Sequence, residues 1–268
     1  MTNRTLASSL GLYVFAVGAI ALGLIGLVWG DFATMWQRVM PGVPLRAPLA
    51  YITAICELAA GIAIFFPRSA RAGALTLTIL YSVFTLLWVP RIFAQPLAYD
   101  PTGNFFEELS LVIGGMVAYL IVSPPTSRWA KREPLVARLY VVCVLSFGIV
   151  HIIDLPGLPS WIPAWIPPGP RFWAYATTVC FFLAAASILT GILSALATRL
   201  LTAMILGFTI FVWGLRLLSA PHDHFFWAGF GISFAMSGAA WVVSDSISAT
   251  VHRRASAAPS VQQIRSIA

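Results

Sequence analysis

The sequence predicts an all-α protein that crosses a membrane about eight times, as two parallel tandem four-helix bundles. Of 268 residues, 59% are hydrophobic and 9% are charged, and the mean hydropathy is +0.88. Soluble domains carry about a quarter charged residues, so this chain has too few polar side chains to cover a water-facing surface. Its apolar runs of about 20 residues are each long enough to cross a hydrocarbon core of roughly 30 Å. Because lipid accepts only helices or closed barrels, and these runs are too long for barrel strands, helices are expected.

The apolar runs predict eight spans. They cover residues 10–29, 48–66, 73–90, 105–122, 135–154, 172–193, 198–218 and 225–243. The first run follows a single Arg, as in a signal peptide, but it is of spanning length and no small-residue cleavage site follows it, so we interpret it as the first membrane helix. Gly and Ser recur within the runs and predict close helix packing.

The distribution of Lys and Arg predicts the orientation in the membrane. Eleven of the sixteen basic residues fall in segments on the side of the N-terminus: Arg4, Arg68, Arg71, Arg128, Lys131, Arg132, Arg138, Arg199, Arg253, Arg254 and Arg265. The other five lie on the opposite side: Arg38, Arg46, Arg91, Arg171 and Arg216. The positive-inside rule therefore predicts a multi-pass protein of the plasma (inner) membrane with both termini in the cytoplasm.

Two halves of the chain match in order, which predicts a tandem repeat. Tyr13 matches Tyr140, Tyr51 matches Tyr175 and Cys56 matches Cys180; further on, Trp88, Arg91 and Pro96 match Trp213, Arg216 and Pro221 at an offset of 125 residues. Each half has an even number of spans, so both copies share one orientation. The predicted division is a first unit at 1–122, a cytoplasmic linker at 123–134, a second unit at 135–245 and a polar tail at 246–268.

The second half ends a span in Gly148 and His151, continues through the run Ile162-Pro163-Ala164-Trp165-Ile166-Pro167-Pro168 and enters a span at Tyr175. The first half has a glutamate before small residues, in Glu57-Leu-Ala-Ala-Gly61. This combination resembles the DoxX-like four-helix membrane proteins, and two fused units would cover nearly the whole chain. The resemblance implies an integral membrane protein. In some family members it implies quinone-linked oxidation of sulfur compounds or thiol redox complexes, with a redox partner subunit.

The two halves also depart from the family pattern. The second half has Phe181 and Phe182 where the first has Glu57, and the first has Asp31 roughly where the second has His151. Neither half alone holds both the acid and the imidazole.

Glu57 is the clearest candidate for chemistry, because an ionisable residue at membrane depth is costly and marks function by default. Thr53, Ala60 and Gly61 share its helical face, which we expect to point into the bundle. Two interpretations stay open: a protonated acid that donates one structural hydrogen bond, and a proton relay or ligand group.

His151 and Asp154 are three residues apart at the end of the fifth span and are predicted to share a face. An aspartate that orients an imidazole suits proton transfer, so we assign Glu57, His151 and Asp154 as candidate catalytic residues. No metal site is predicted. A weaker alternative groups His151 and Asp154 with His222 and His224, which are ligand types for a divalent ion; polar residues that solvate a helix end are the simpler explanation.

Arg91 and Arg216 end equivalent spans, each one turn after a tryptophan, Trp88 and Trp213. Interfacial anchoring by Trp and Arg explains this pattern. The alternative is a cofactor site in which these four residues position an anionic or quinone-like head group, with Arg91 paired to Glu107 or Glu108 and Arg216 paired to Asp154 or Asp223. The cofactor itself stays unknown, with a quinone as the candidate.

Several classes are excluded or disfavoured. The net charge of +7 lies in short segments between apolar runs, so nucleic acid is not an expected partner. The sequence has no phosphate-binding loop and no dinucleotide fingerprint. The three cysteines lie within apolar runs, where buried, inert thiols are the usual state, and a redox pair of Cys56 and Cys180 is the less favoured alternative.

Three functions stay open on the sequence alone. The first is a quinone- or redox-associated membrane subunit with an outward-facing polar pocket. The second is a membrane scaffold without small-molecule chemistry, and the third is a small-solute transporter. The lipid bilayer is the expected surrounding in each case, and a homo-oligomer is left open.

Overall fold

The computed structural model describes residues 10–96 and 98–257, and all regular structure within them is helical. Eight helices are long and apolar enough to cross a membrane, which confirms an all-α polytopic protein. The basic residues Arg4 and Arg265 and the last part of the predicted tail lie outside the described residues.

The helices follow the predicted runs closely. They are α1 (Leu10–Trp29), α2 (Arg46–Ile64), α3 (Ala70–Ala94), α4 (Tyr99–Ile121), α5 (Glu133–Ile153), α6 (Pro170–Thr190), α7 (Ser194–Phe208), α8 (Leu215–Ser219) and α9 (His224–Ala257). A π-helical segment, Thr209–Gly214, joins α7 to α8, so that Ser194–Ser219 forms one span. We call the end of the bundle formed by the connections 30–45, 95–98, 154–169 and 220–223 the distal face, and the opposite end the terminal face.

The helix α9 is longer than the sequence predicts. The predicted span ends at 243 and a polar tail follows, whereas α9 continues to Ala257 and measures about 51 Å at 1.5 Å per residue. Three serines contribute to the polar sequence of this segment, and all three are buried against the bundle: Ser244, Ser246 and Ser248. Asp245 accepts a hydrogen bond of 3.3 Å from the backbone nitrogen of Gly11, which ties the extension to α1.

The packing of the helices follows the repeat. Within each half, successive spans pack together, and the pairs α1–α2, α2–α3 and α3–α4 correspond to α5–α6, α6–α7 and α7–α9. Between the halves, α1 packs against α9 and α5 packs against α4, while α4 and α9 meet each other. Each first helix of a half therefore packs on the last helix of the other half, about a pseudo-twofold axis at the α4–α9 contact. The eight spans form a closed ring that α4 and α9 bridge.

Glycines allow the two halves to approach this closely. A Cβ atom on Gly18 of α1 would lie 2.6 Å from Cα of Ala235 on α9, and one on Gly11 would lie 2.7 Å from the backbone of Trp241. Gly238 of α9 faces the backbone of Phe15 in the same way. Small residues of this kind bring helix backbones together in lipid, so the α1–α9 contact is a built interface between the halves.

Candidate functional site

The distal face opens into a cavity of about 240 Å³ between α4, α5, α6, α7 and α9, which we call the distal cavity. Phe225 and Met236 both line it and lie eleven residues apart on α9, which corresponds to about 16 Å along a helix. The cavity therefore reaches about halfway into a hydrocarbon core of roughly 30 Å.

Aromatic rings form much of the wall of the distal cavity. They come from the connection after α1, from the connection after α5, and from four of the spans: Trp36, Trp161, Phe147, Phe181, Phe208, Trp213 and Phe225. Trp213 is the centre of this set, because its ring lies 5.4 Å from Trp36, 5.6 Å from Trp161 and 5.7 Å from Phe225, centroid to centroid. A planar apolar group would find stacking partners on several sides.

Polar side chains enter the cavity from α4. Asn104 is 4% exposed and lines the cavity, and its Nδ2 has no hydrogen-bond partner. Glu107 lines it one turn further along and accepts a hydrogen bond from Nε1 of Trp36. Because a buried donor is nearly always paired, the Asn104 amide is the clearest vacant hydrogen-bonding group of this wall.

His151 enters the cavity from α5. Its Nδ1 lies 3.3 Å from Oγ1 of Thr178, and that hydroxyl donates its single proton to the carbonyl of Ala174 at 2.7 Å. From this geometry we assign the imidazole proton to Nδ1, which leaves Nε2 of the neutral ring as an acceptor. The ring is held at its edges by Phe181 and Phe208, at centroid distances of 5.0 and 6.1 Å.

The π-helical segment marks one inserted residue of the repeat. The helices α3 and α7 begin 124 residues apart, at Ala70 and Ser194, but α3 and α8 end 125 residues apart, at Ala94 and Ser219. Single π-turns of this kind are frequent at functional sites. The segment supplies Val212 and Trp213 to the cavity wall.

Thr209 secures the start of this segment. Its hydroxyl lies 2.9 Å from Oγ of Ser233 and 3.2 Å from Oγ of Ser237, both on α9. Ser233 also lines the cavity. The hydroxyl cluster therefore holds the widened turn against α9 at the inner end of the cavity.

The first half contains a buried polar cluster. Glu57 on α2 is 2% exposed and accepts a hydrogen bond of 2.6 Å from Nε2 of Gln37. Glu108 on α4 and Tyr81 on α3 are both 0% exposed, and neither the Glu108 carboxyl oxygens nor the Tyr81 hydroxyl has a hydrogen-bond partner. The helices that carry the three groups pack in order, α2 against α3 and α3 against α4. We call Glu57, Tyr81 and Glu108 the acid cluster.

The repeat shows that this polarity belongs to one half. Following the offset of 124 residues between α2–α3 and α6–α7, Glu57 corresponds to Phe181 and Tyr81 to Ile205. Phe181 and Ile205 line the distal cavity. The same positions in the repeat thus carry buried ionisable groups in the first half and apolar, cavity-lining side chains in the second.

Arg91 and Trp88 lie outside the distal cavity. Trp88 is 0% exposed and donates from Nε1 to the carbonyl of Trp36 at 2.8 Å, so it is a core residue. Arg91 is exposed, and a pair with Glu107 or Glu108 is not among the ion pairs of the described residues. Arg38 lies over the Trp88 ring at 5.3 Å. Burial and the nearby Arg91 charge lower the pKa of Arg38, while Asp100 opposes this shift.

Arg216 and Trp213 meet at the cavity mouth but in different roles. Arg216 donates to the carbonyl of Ser160 at 3.2 Å and lies 4.2 Å from the Trp161 ring centroid. Its predicted ion pair with Asp154 or Asp223 is not among the described ion pairs, which are Arg46–Asp31 and Arg253–Glu133. Arg216 therefore fastens the connection after α5, and Trp213 alone of this pair faces the cavity.

Asp154 does not orient His151. It ends α5, and its carboxylate lies against Gly157, where an added Cβ would be 2.5 Å from Oδ1. The residues of the metal alternative are dispersed, since His222 is exposed and His224 stacks on Trp29 at 5.1 Å. Within 10–96 and 98–257, no three His, Cys, Asp or Glu side chains are grouped to hold a metal ion.

The cysteines occupy different environments. Cys143 is buried, Cys56 is half-buried and Cys180 is exposed, and all three thiols are free. Cys56 lies on α2, which packs against α1 and α3, whereas Cys180 lies on α6, which packs against α5 and α7. The two equivalent thiols are therefore on opposite sides of the bundle.

Four polar residues of the two sites were not singled out as site residues from the sequence: Tyr81, Asn104, Glu107 and Glu108. The predicted fourth span began at 105, which put the two glutamates at a helix start near solvent. Because α4 begins at Tyr99, Glu108 lies well inside the helix and faces the core. Two consecutive acids within an apolar span were the available signal.

Comparisons with protein-family models, with curated proteins and with solved structures found no match.

Proposed function

We propose that the distal cavity binds the head group of a quinone-class lipid, and that the chain is a quinone-associated redox subunit of the DoxX-like kind. The observation that carries this proposal is the Asn104 amide, a buried donor without a partner on the wall of an aromatic cavity. A buried unpaired donor costs about 1–3 kcal/mol, and an oxygen acceptor on a bound ligand would recover that cost.

The shape of the cavity favours a planar head group. Trp36, Trp161 and Trp213 offer ring faces and edges at the mouth, and Phe181 and Phe208 continue the apolar wall inward. Drug-sized ligands occupy about 300–1,000 Å³, so a cavity of about 240 Å³ suits a single ring with its isoprenoid tail directed elsewhere.

The two polar walls match the two oxygens of a hydroquinone. His151 presents Nε2 as an acceptor, which suits a ligand hydroxyl, and Asn104 presents a donor, which suits the second ligand oxygen. In the oxidised ligand both oxygens are acceptors, so His151 would have to carry a second proton to donate. The neutral site therefore favours the reduced form of the ligand.

The proposed setting is the plasma membrane with both termini in the cytoplasm, as the distribution of basic residues predicts. The distal cavity would then open on the outer side, and the electron carrier that reacts with the ligand would be a partner subunit. Fusion of a reporter that is active only in the cytoplasm to the C-terminus tests this orientation, and an inactive reporter on a correctly inserted chain contradicts it.

The binding proposal is tested by solvent extraction of the full chain purified in mild detergent, followed by quinone assay. Near-stoichiometric quinone is expected in the wild type, and at least about tenfold less in His151→Ala and in Asn104→Leu, since each loses a hydrogen bond at an apolar site. His222→Ala is the matched control because this histidine is exposed and lies outside the cavity.

Two outcomes contradict the proposal. If the wild type holds no more quinone than the surrounding lipid, the chain is not a quinone protein. If quinone is enriched but both cavity variants retain it, the ligand binds elsewhere and the distal cavity has another occupant.

A further inference from the structure

The acid cluster is a second buried site of the protein, and the quinone proposal does not use it. Its three members come from three successive helices, Glu57 from α2, Tyr81 from α3 and Glu108 from α4. Tyr81 and Glu108 are sealed from solvent, and both keep unpartnered polar atoms. A completed structural network would leave none of these atoms unpaired, so the cluster is built for more than packing.

No basic side chain neutralises the cluster. The ion pairs found in the described parts of the chain are Arg46–Asp31 and Arg253–Glu133, and they lie at the distal and terminal faces. Two carboxylates without a counter-charge are strongly disfavoured at this depth. A proton is the smallest cation that removes the charge, and it needs no coordination shell.

The cluster is connected to the distal cavity through α4. Glu107 lines the cavity and directly precedes Glu108 in the chain. Asn104 lies one turn before Glu108 on the same helix and also lines the cavity. Polar groups thus continue from the cavity wall to Glu108 within about one turn of one helix.

The repeat supports a dedicated function of this cluster. The positions equivalent to Glu57 and Tyr81 in the second half are Phe181 and Ile205, so the fold accepts apolar side chains at both places. Replacing buried ionisable groups by apolar ones is often neutral or stabilising. Packing alone therefore gives no reason for ionisable groups at these two places in the first half.

We propose that Glu57, Tyr81 and Glu108 form a buried proton-binding site that exchanges protons with the distal cavity through Glu107. The Tyr81 hydroxyl can both donate and accept and has no hydrogen-bond partner, so it is available to pass a proton between the helices that carry the two carboxyls. The ligand is the proton itself. This proposal goes beyond the quinone site and holds for any occupant of the cavity.

The experiment is infrared spectroscopy of the full chain in lipid nanodiscs, following the carbonyl stretch of protonated carboxylic acids in H₂O and D₂O. The wild type should show bands of buried protonated carboxyls, and Glu57→Gln and Glu108→Gln should each remove intensity. Asp223→Asn is the control, because Asp223 is exposed in the connection before α9 and its loss should leave the bands unchanged. Glu108→Asp should shift the band without removing it, which separates a lost proton site from a misfolded chain.

The connection to the cavity is tested by the rate at which the bands shift after transfer to D₂O. Glu107→Gln should slow this exchange by about tenfold or more, because an amide cannot take up and release a proton as a carboxyl does. Equal exchange rates in this variant and the wild type would overturn the connection. Spectra without any carboxylic acid band sensitive to Glu57 or Glu108 would overturn the site. A negative quinone assay with positive infrared results would reject the proposed function and keep this site.

Discussion

Nε2 of Gln37 donates a hydrogen bond of 2.6 Å to the Glu57 carboxyl, and Oε1 of the same side chain accepts one of 3.0 Å from the backbone nitrogen of Ala33. Gln37, in the connection 30–45, is thereby anchored to the middle of α2. The connection 30–45 also places Trp36, whose ring forms part of the cavity wall. Glu57 thus supports the distal cavity from a distance, in addition to its place in the acid cluster.

Two replacements of Glu57 should separate the effect of its hydrogen bond on stability from the effect of its acidic group. Glu57→Gln keeps a partner for Gln37 and should change stability little. Glu57→Leu leaves the buried Gln37 amide unpaired, which costs about 1–3 kcal/mol. Denaturant unfolding of both variants in detergent measures this difference, and equal stabilities would show that Gln37 finds another partner.

Close packing between the halves predicts a steric effect at Gly18. The Cβ of Gly18→Ala would lie 2.6 Å from Cα of Ala235, so α1 and α9 would have to separate. A loss of about 1–3 kcal/mol in the free energy of unfolding is expected, as for other overpacked interfaces. Gly42→Ala is the control, since no atom lies within 4 Å of its Cβ position. A Gly18→Ala protein as stable as Gly42→Ala would contradict the α1–α9 packing.

Replacing Arg216 should destabilise one connection and leave the spans intact. Arg216→Ala removes the contacts with Ser160 and Trp161 and should lower the free energy of local opening of the connection 154–169 by about 1–2 kcal/mol. Amide hydrogen exchange in that connection should accelerate about 5–30-fold, while the spans stay protected. The repeat offers the control, because Arg91 is its counterpart and is exposed. Arg91→Ala should leave exchange at 154–169 unchanged, and acceleration in both variants would point to a general loosening.

The inserted residue of the π-helical segment can be removed. Deletion of the exposed Ile210 should return Thr209–Gly214 to regular α-helix and restore the offset of 124 residues seen at the start of α7. The span should remain, but Trp213 should turn from the cavity wall, and bound ligand should fall by about 2- to 12-fold for the loss of an aromatic contact worth about 0.5–1.5 kcal/mol. Quinone content and tryptophan fluorescence measure this, and undiminished ligand would show that the widened turn does not shape the cavity.

The spans could be predicted because membrane depth imposes one dominant requirement, a long apolar helix. Their ends agree within about four residues except at α4, which begins at Tyr99 and not at 105, and at α9. A polar tail was predicted from 246, but α9 continues to Ala257 and buries Ser246 and Ser248. Serine is small enough to pack between helices, so composition does not distinguish a buried serine face from a solvated one. Longer helices can also continue past the lipid.

The site was harder to predict because it depends on which side chains meet. Glu57 was recognised from its depth in a span and His151 from its place at the end of one, and the structure puts them in separate sites: Glu57 is in the acid cluster and His151 lines the distal cavity. Trp88 and Trp213 match in sequence, yet one is sealed in the core and the other lines a cavity. The inserted residue before Trp213 was visible as a change of offset between Tyr51–Tyr175 and Trp88–Trp213. Its meaning as a π-turn required the structure.

The packing of α1 on α9 has a consequence for biogenesis. The glycine-lined face of α1 is covered by α9, which is synthesised after the other seven spans described. Until α9 is in place, Gly11 and Gly18 lack their packing partners, and the ring of spans stays open. A ribosome-bound intermediate with seven spans is therefore a loosely closed assembly, and the release of the last helix completes both halves at the same moment.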